Sequence, residues 1–379
     1  MAHEDGSSTY SDPLPLPNEV EQDNILDIDP DEEIVKTAYE ITSYGADYPV
    51  DGLVKRLSAK DIVVPSFDPS FDDSDEVEGF QRKFVWSRPQ MDRFVESLLL
   101  GLPVPGIFLV RDHSNKLLVL DGQQRLRTLL AFYRGIHNGR EFKLKQVQEQ
   151  FEGLGYADLD DEDRRRLDDS IIHATILRQE HPAGSQDAVY SIFERLNTGG
   201  NPLQPQEIRV ALYNGPFLKE LSKVNENTDW RTLYGAPSPR FKDHELILRV
   251  LALYETAGRY SRPLKTYLNN YLANNSNRSD YGALFQLFVD AAKVINGSIG
   301  PRAFRPVRPL NAAVLDAVMV GVMRRLNSGP ITSSADIKDA YDELLSNPDF
   351  GAATSSSTAA ETSVNNRLEY ATSAFESVK

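Results

Sequence analysis

Apolar positions along this chain follow two rhythms. From residue 50 to about 200, short β-branched runs alternate with helical faces; beyond 203 only helical spacing remains. The pattern predicts a helix from Glu32 to Tyr44, another over Val50–Leu57, and a strand at Ile62-Val63-Val64. Pro89 suits the first turn of a helix, where a missing N–H costs nothing. Met91, Phe94, Val95, Leu98 and Leu99 then form one apolar face, which Gly101 ends. Strands follow at Ile107–Val110 and Leu117–Leu120, joined by a turn at His113-Ser114-Asn115. Asp121-Gly122 breaks the second strand, and Leu126, Leu129, Leu130 and Tyr133 give the next helix its buried stripe, capped by Gly135. Residues 152–169 predict a short exposed helix, and Ile171–Leu177 a strand. Ser185 caps a helix carrying Val189, Ile192, Phe193 and Leu196, which Asn197-Thr198-Gly199-Gly200-Asn201-Pro202 stops.

Further helices are predicted over 205–214, 241–257, 279–296, 309–327, 334–346 and 363–378, while the Ala-, Ser- and Thr-rich residues 350–361 read as mobile. No internal repeat is visible. The expected fold class is α+β. It comprises a disordered acidic tail (1–30), a mixed α/β domain (31–203) with a solvated acidic loop at 65–79, and an all-helical domain (204–379).

Charge sharpens this division. The net charge is −15 over 379 residues, yet residues 1–80 hold 21 of the 56 acidic side chains and only 4 of the 41 basic ones. The remainder is nearly neutral, so the acidic balance does not argue against phosphate binding there. No strongly basic stripe advertises DNA. There is no cysteine, which excludes disulfides, zinc–thiolate sites, iron–sulfur clusters and a thiol nucleophile. No membrane span or signal peptide is read, and a cytoplasmic location is expected.

The densest chemistry lies at Asp121-Gly122-Gln123-Gln124-Arg125. A helix opening directly after a strand presents free N–H groups and the positive end of its dipole, a ready anion site. Gly122 permits positive φ or close backbone approach. Arg125 adds a fork for phosphate oxygens, Gln123 and Gln124 can donate or accept beside it, and Asp121 could hold Mg²⁺ or position a water. On spacing alone, an ordinary Asp-Gly turn with Asp121 as helix cap explains the same residues.

Three stretches resemble the GmrSD N-terminal (DGQQR) family of restriction and phage-defence proteins. The first is Phe80-Gln81-Arg82-Lys83-Phe84-Val85-Trp86, continuing from Phe94 through Gly101 to Pro105. The second is Leu118–Leu126, containing the DGQQR string, and the third is Ile192–Gly200 running into Leu203, Glu207 and Arg209. A weaker match continues through His244–Arg249.

The resemblance implies a ParB/sulfiredoxin-like core that binds, and in some members hydrolyses, a nucleoside triphosphate (ATP, GTP or CTP) with Mg²⁺. Asp121, Gln124 and Arg125 would carry any hydrolysis. Arg82, Gly122, Gln123, Gln124, Arg125, Arg195 and Asn197 would hold the nucleotide. Two departures stand out. About a dozen acid-rich residues are inserted between Pro65 and Phe80, and no paired histidine motif exists for the nuclease that many relatives carry. The implied partner is therefore a nuclease or effector encoded nearby, with DNA as a further ligand and the oligomeric state open.

Two other function classes fit the residues: a metal-dependent DNase using Asp121, and a non-catalytic DNA- or protein-binding module. Glu194 and Asn197 share a helix face. Glu207 near a helix start reads as dipole chemistry. Arg240 to Arg249 reads as a solvated mixed-charge face, and Trp86 and Phe84 as core. Arg302, Arg305 and Arg308 would align along an extended segment as a weak phosphate-backbone signal. Asp72, Asp73, Asp75, Glu76 and Glu78 lack the glycine and spacing of a calcium loop.

Overall fold

The computed structural model describes residues 25–26, 40–65, 86–111, 115–181, 187–196, 203–307 and 309–379. A mixed α/β N-terminal domain is followed by a C-terminal region that is almost wholly helical. One compact unit is formed within Asp31–Glu226 and Arg240–Gln286, and a second within Met1–Pro30, Asn227–Pro239 and Leu287–Lys379.

After a short β1 (Ile25–Leu26), the first unit is built on a five-stranded sheet. It comprises β2 (Glu40–Pro49), β3 (Ile62–Val63), β4 (Ile107–Arg111), β5 (Leu117–Asp121) and β8 (Ile171–His181), in the order β2-β8-β4-β5-β3. A small hairpin, β6 (Ile136–His137) with β7 (Arg140–Glu141), stands apart. β2 runs antiparallel to β8 along its whole length, from Glu40 opposite His181 to Pro49 opposite Ile171. β4 is parallel to β8 and antiparallel to β5, while β3 is parallel to β5. The helix expected up to Tyr44 is thus a strand from Glu40 onward; its first part, 32–39, lies outside the described residues. β8 has backbone groups to satisfy along its outer side, and this long-range pairing outweighs a local helical pattern.

Helices cover both faces of the sheet. α1 (Val50–Ser58), α2 (Arg88–Leu99), α3 (Gln123–Arg134) and α4 (Asp161–Asp168) bury their apolar stripes against Ile107, Leu109, Val119, Ile172, Ala174 and Ile176. α2 buries the face that the spacing predicts, and Gln90 Oε1 accepts from the Ser87 amide at 2.8 Å to close its first turn. α5 (Asp187–Leu196) and α6 (Pro205–Leu212) cover Val110, Leu120 and Leu177 on the opposite face.

The unit continues through α7 (Pro216–Asn225), and, after α8 (Thr228–Tyr234) of the second unit, through α9 (Lys242–Thr256) and α10 (Leu264–Asn275). α7, α8 and α10 were not expected from the sequence pattern.

In the second unit β1 pairs in parallel with β9 (Leu310–Asn311). After α11 (Gly282–Ser298), α12 (Ala312–Asn327) is the core helix, buried without interruption from Ala312 to Met323. Asn311 caps it by accepting from the amides of Ala313 and Val314. α13 (Ser334–Ser346), α14 (Pro348–Ser355) and α15 (Glu361–Glu376) pack around it. α15 approaches so closely that a Cβ on Gly321 would lie 2.9 Å from the Ala371 carbonyl.

The 350–361 stretch, expected to be mobile, is instead ordered into α14, which buries Ala353 and Thr354, and a following turn that buries Thr358 and Ala359. Small side chains there permit close packing; composition alone reads them as loop.

Candidate functional site

The Asp121–Arg125 turn forms where β5 stops and α3 starts. Gly122 takes φ +95°, and a Cβ on it would sit 2.4 Å from Ile107 Cγ2. Glycine is therefore required here twice, by backbone conformation and by close packing. No side chain caps α3 and no acidic residue stands in its first turn, whereas Asp160, Asn227, Asn311, Ser333 and Asn347 cap five other helices. Among the described residues, neither a cap side chain nor a first-turn acid offsets the partial positive charge of the α3 N-terminus.

Arg125 is held inside the turn. Its Nη2 donates to Asp121 Oδ2 at 2.7 Å and its Nη1 to the Pro105 carbonyl at 3.2 Å. The arginine side chain is only 11% exposed, while Asp121 is 45% exposed. The cation is fixed in position by groups of this chain, and an incoming anion must compete with Asp121 for it.

Gln124 Oε1 stands 3.5 Å from the Trp86 amide, linking the turn to the start of α2, and its backbone carbonyl accepts from Thr128 Oγ at 2.8 Å. Gln123 is partly exposed. Arg127, which the sequence reading passed over, donates to the Pro65 carbonyl at 3.1 Å. Burial holds its pKa down to about 10, still far above neutrality, so it is a second cation on α3.

Of the remaining expected site residues, the one that is described, Arg195, is not gathered at this turn. Arg195 is exposed near the end of α5, a helix that packs on the face of the sheet opposite α3. Arg82, Asn197, Phe84 and the acidic positions Asp72 to Glu78 lie outside the described residues, as does Arg308. Arg305 turns inward, donating to the carbonyls of Leu233 and Tyr234, so it does not join a phosphate-facing stripe. Among the described residues, no group of three or more His, Asp or Glu side chains is placed to hold a metal ion, and no helix is long and apolar enough to cross a membrane.

Residues 68–214 match the family described as GmrSD restriction endonuclease, N-terminal domain. The chain carries a GmrSD_N-like domain. Its span includes β4, β5 and β8, the DGQQR turn, and α2 through α6. Among curated proteins nothing matches the chain.

Around this GmrSD_N-like domain, tertiary structure reveals polar sites that spacing hid. Glu207, expected near a helix start as dipole chemistry, is fully buried; its Oε2 accepts from the Gln204 amide at 2.8 Å and from Arg240 Nη2 at 3.0 Å. The Arg240–Arg249 stretch, expected to be solvated, buries Asp243, His244 and Arg249. His244 Nδ1 lies 3.0 Å from Asp243 Oδ1, its Nε2 lies 3.3 Å from Ser222 Oγ, and Asn225 Nδ2 donates to Asp243 Oδ2 at 2.9 Å. This chain ties α7 to α9. His173 Nδ1 meets Asp47 Oδ1 at 2.8 Å across β8 and β2, an exposed pair separated by 126 positions in sequence.

Proposed function

We propose that this chain binds a nucleoside triphosphate at the Asp121–Arg125 turn, in a ParB/sulfiredoxin-like manner, and thereby controls a nuclease supplied by another polypeptide in a restriction-type defence system. One observation carries the nucleotide reading. An uncapped helix N-terminus with a positive-φ glycine opens directly off a strand, and a guanidinium is already fixed beside it. The family match to a restriction endonuclease domain supports the setting.

The residues divide the work by charge. Amides at the start of α3 and the Arg125 fork would neutralise phosphate oxygens as negative charge builds on them. Asp121 is the carboxylate at the turn with exposed surface, which suits a hard cation carried mainly by the nucleotide's own phosphates. Bound Mg²⁺ would supply charge neutralisation for hydrolysis there. Gln124 would orient a water, and Gln123 would accept from or donate to the nucleotide.

Equilibrium titration of the full chain with ATP, GTP and CTP, each with Mg²⁺, tests this reading. One of the three is expected to bind, and Arg125→Ala to abolish binding while circular dichroism stays unchanged. Equal affinity in folded Arg125→Ala would overturn it. Adding the cognate nuclease and DNA to the titration tests the control function.

A further inference from the structure

Helices α5, α6, α9 and α10, with the segment leading into α9, bring six charged side chains to one junction of the first unit. Arg209 on α6 lies at its centre and is buried. Its Nε donates to Asn269 Oδ1 at 2.8 Å, its Nη1 to Glu245 Oε2 at 2.6 Å and Gln206 Oε1 at 3.2 Å, and its Nη2 to the Lys265 carbonyl at 3.3 Å. Beside it Arg240 pairs with Glu207. Lys265 Nζ meets both oxygens of Glu194 at 3.2 Å and stands over the Tyr190 ring, 5.7 Å from its centroid. Three cations thus face three carboxylates.

Within this balanced set, two donor groups have no hydrogen-bond partner among the described residues: the Tyr190 hydroxyl and Gln206 Nε2. Their residues are 2% and 1% exposed. Gln206 adjoins Arg209 through its Oε1, and the Tyr190 ring lies beneath Lys265, whose backbone carbonyl accepts from Arg209. Buried polar groups are as a rule satisfied, and what these two lack in common is an acceptor. Glu194 is the most exposed of the three carboxylates and is bonded only through Lys265 in this cluster.

We propose that this junction is a second oxyanion site, in which a phosphate-class anion replaces Glu194 on Lys265 and accepts from the Tyr190 hydroxyl and Gln206 Nε2. A tetrahedral anion offers enough lone pairs to serve all three donors together, and Arg209 adds the field of a buried cation. The site is on the α5 side of the sheet and α3 is on the other, so it does not depend on the nucleotide reading of the Asp121–Arg125 turn.

Calorimetric titration and thermal unfolding of the full chain with inorganic phosphate and pyrophosphate test this. Wild type is expected to bind phosphate. Glu194→Gln removes the competing carboxylate and should tighten binding about tenfold or more. Tyr190→Phe should weaken it about tenfold, yet leave the anion-free unfolding midpoint unchanged or higher, because the lost hydroxyl has no partner to lose. Arg125→Ala should leave both responses intact. In that background, competition between a nucleoside triphosphate and phosphate assigns the anion to a nucleotide; lack of competition assigns it to free phosphate. Absence of phosphate binding in both wild type and Glu194→Gln overturns the proposal, as does Tyr190→Phe with unchanged phosphate affinity.

Discussion

Arg125 and Asp121 lie one helical turn apart and 2.7 Å from each other, with the arginine mostly covered and the aspartate nearly half exposed. The pair sets the arginine in place and competes with any anion for it. At this exposure it contributes at most about 1 kcal/mol to stability. Asp121→Asn should therefore unfold at nearly the wild-type temperature. Without Mg²⁺ it should bind triphosphate up to about fivefold more tightly. With Mg²⁺ that gain should vanish, because the one exposed carboxylate at the turn is gone. Titrations with and without the metal decide; a loss of affinity in metal-free buffer would contradict the competition.

Gly122 should tolerate no side chain. Alanine there is strained at φ +95° and drives its Cβ into Ile107. The two penalties together amount to about 2–4 kcal/mol. Urea unfolding of Gly122→Ala should show a lowered midpoint. The companion change Ile107→Ala, made in the same background, should recover part of the steric component.

The Asp316–Arg367 pair in the second unit, 3.1 Å apart with both side chains fully buried, should respond asymmetrically to mutation. Removing one partner leaves a buried charge, so Arg367→Met alone should cost about 3–5 kcal/mol. The double change Asp316→Leu with Arg367→Met should cost much less, since no isolated ion is left in the core. A double-mutant cycle by chemical denaturation checks this, and strictly additive losses would refute it.

Acid should reveal Asp92. Burial raises its carboxyl pKa above the usual 3.8, and this outweighs the opposing pull of Arg88 at 2.8 Å. The folded state then holds a proton that the unfolded chain has already released, so this group contributes stability that falls as pH rises from 3.8 through the folded pKa. Stability of wild type relative to Asp92→Asn should decline with rising pH across that window. A difference that grows with pH would mean that the Arg88 contact dominates instead.

Much of the fold was legible in short-range pattern. The α2 stripe, the paired strands at 107–111 and 117–121, Gly135 at the end of α3, and α13 over Ser334–Ser346 follow from periodicity and terminal residues. The failures share a cause. β2 is a strand because β8 runs beside it, and α14 is ordered because α12 and α15 accept its small residues. Neither partner is local, so no window of sequence contains the deciding interaction.

The chain's own letters determined the α+β division, the DGQQR turn and the need for glycine within it, because helix faces, strand ends and backbone freedom are properties of adjacent residues. Tertiary structure alone decided that Arg125 is tied to Asp121 and Pro105, that Arg195 belongs to the other face of the sheet, and that Arg209 pairs with Glu245 and Arg240 with the buried Glu207. Charged residues read one by one look solvated. Only packing several helices together shows which of them have exchanged water for one another.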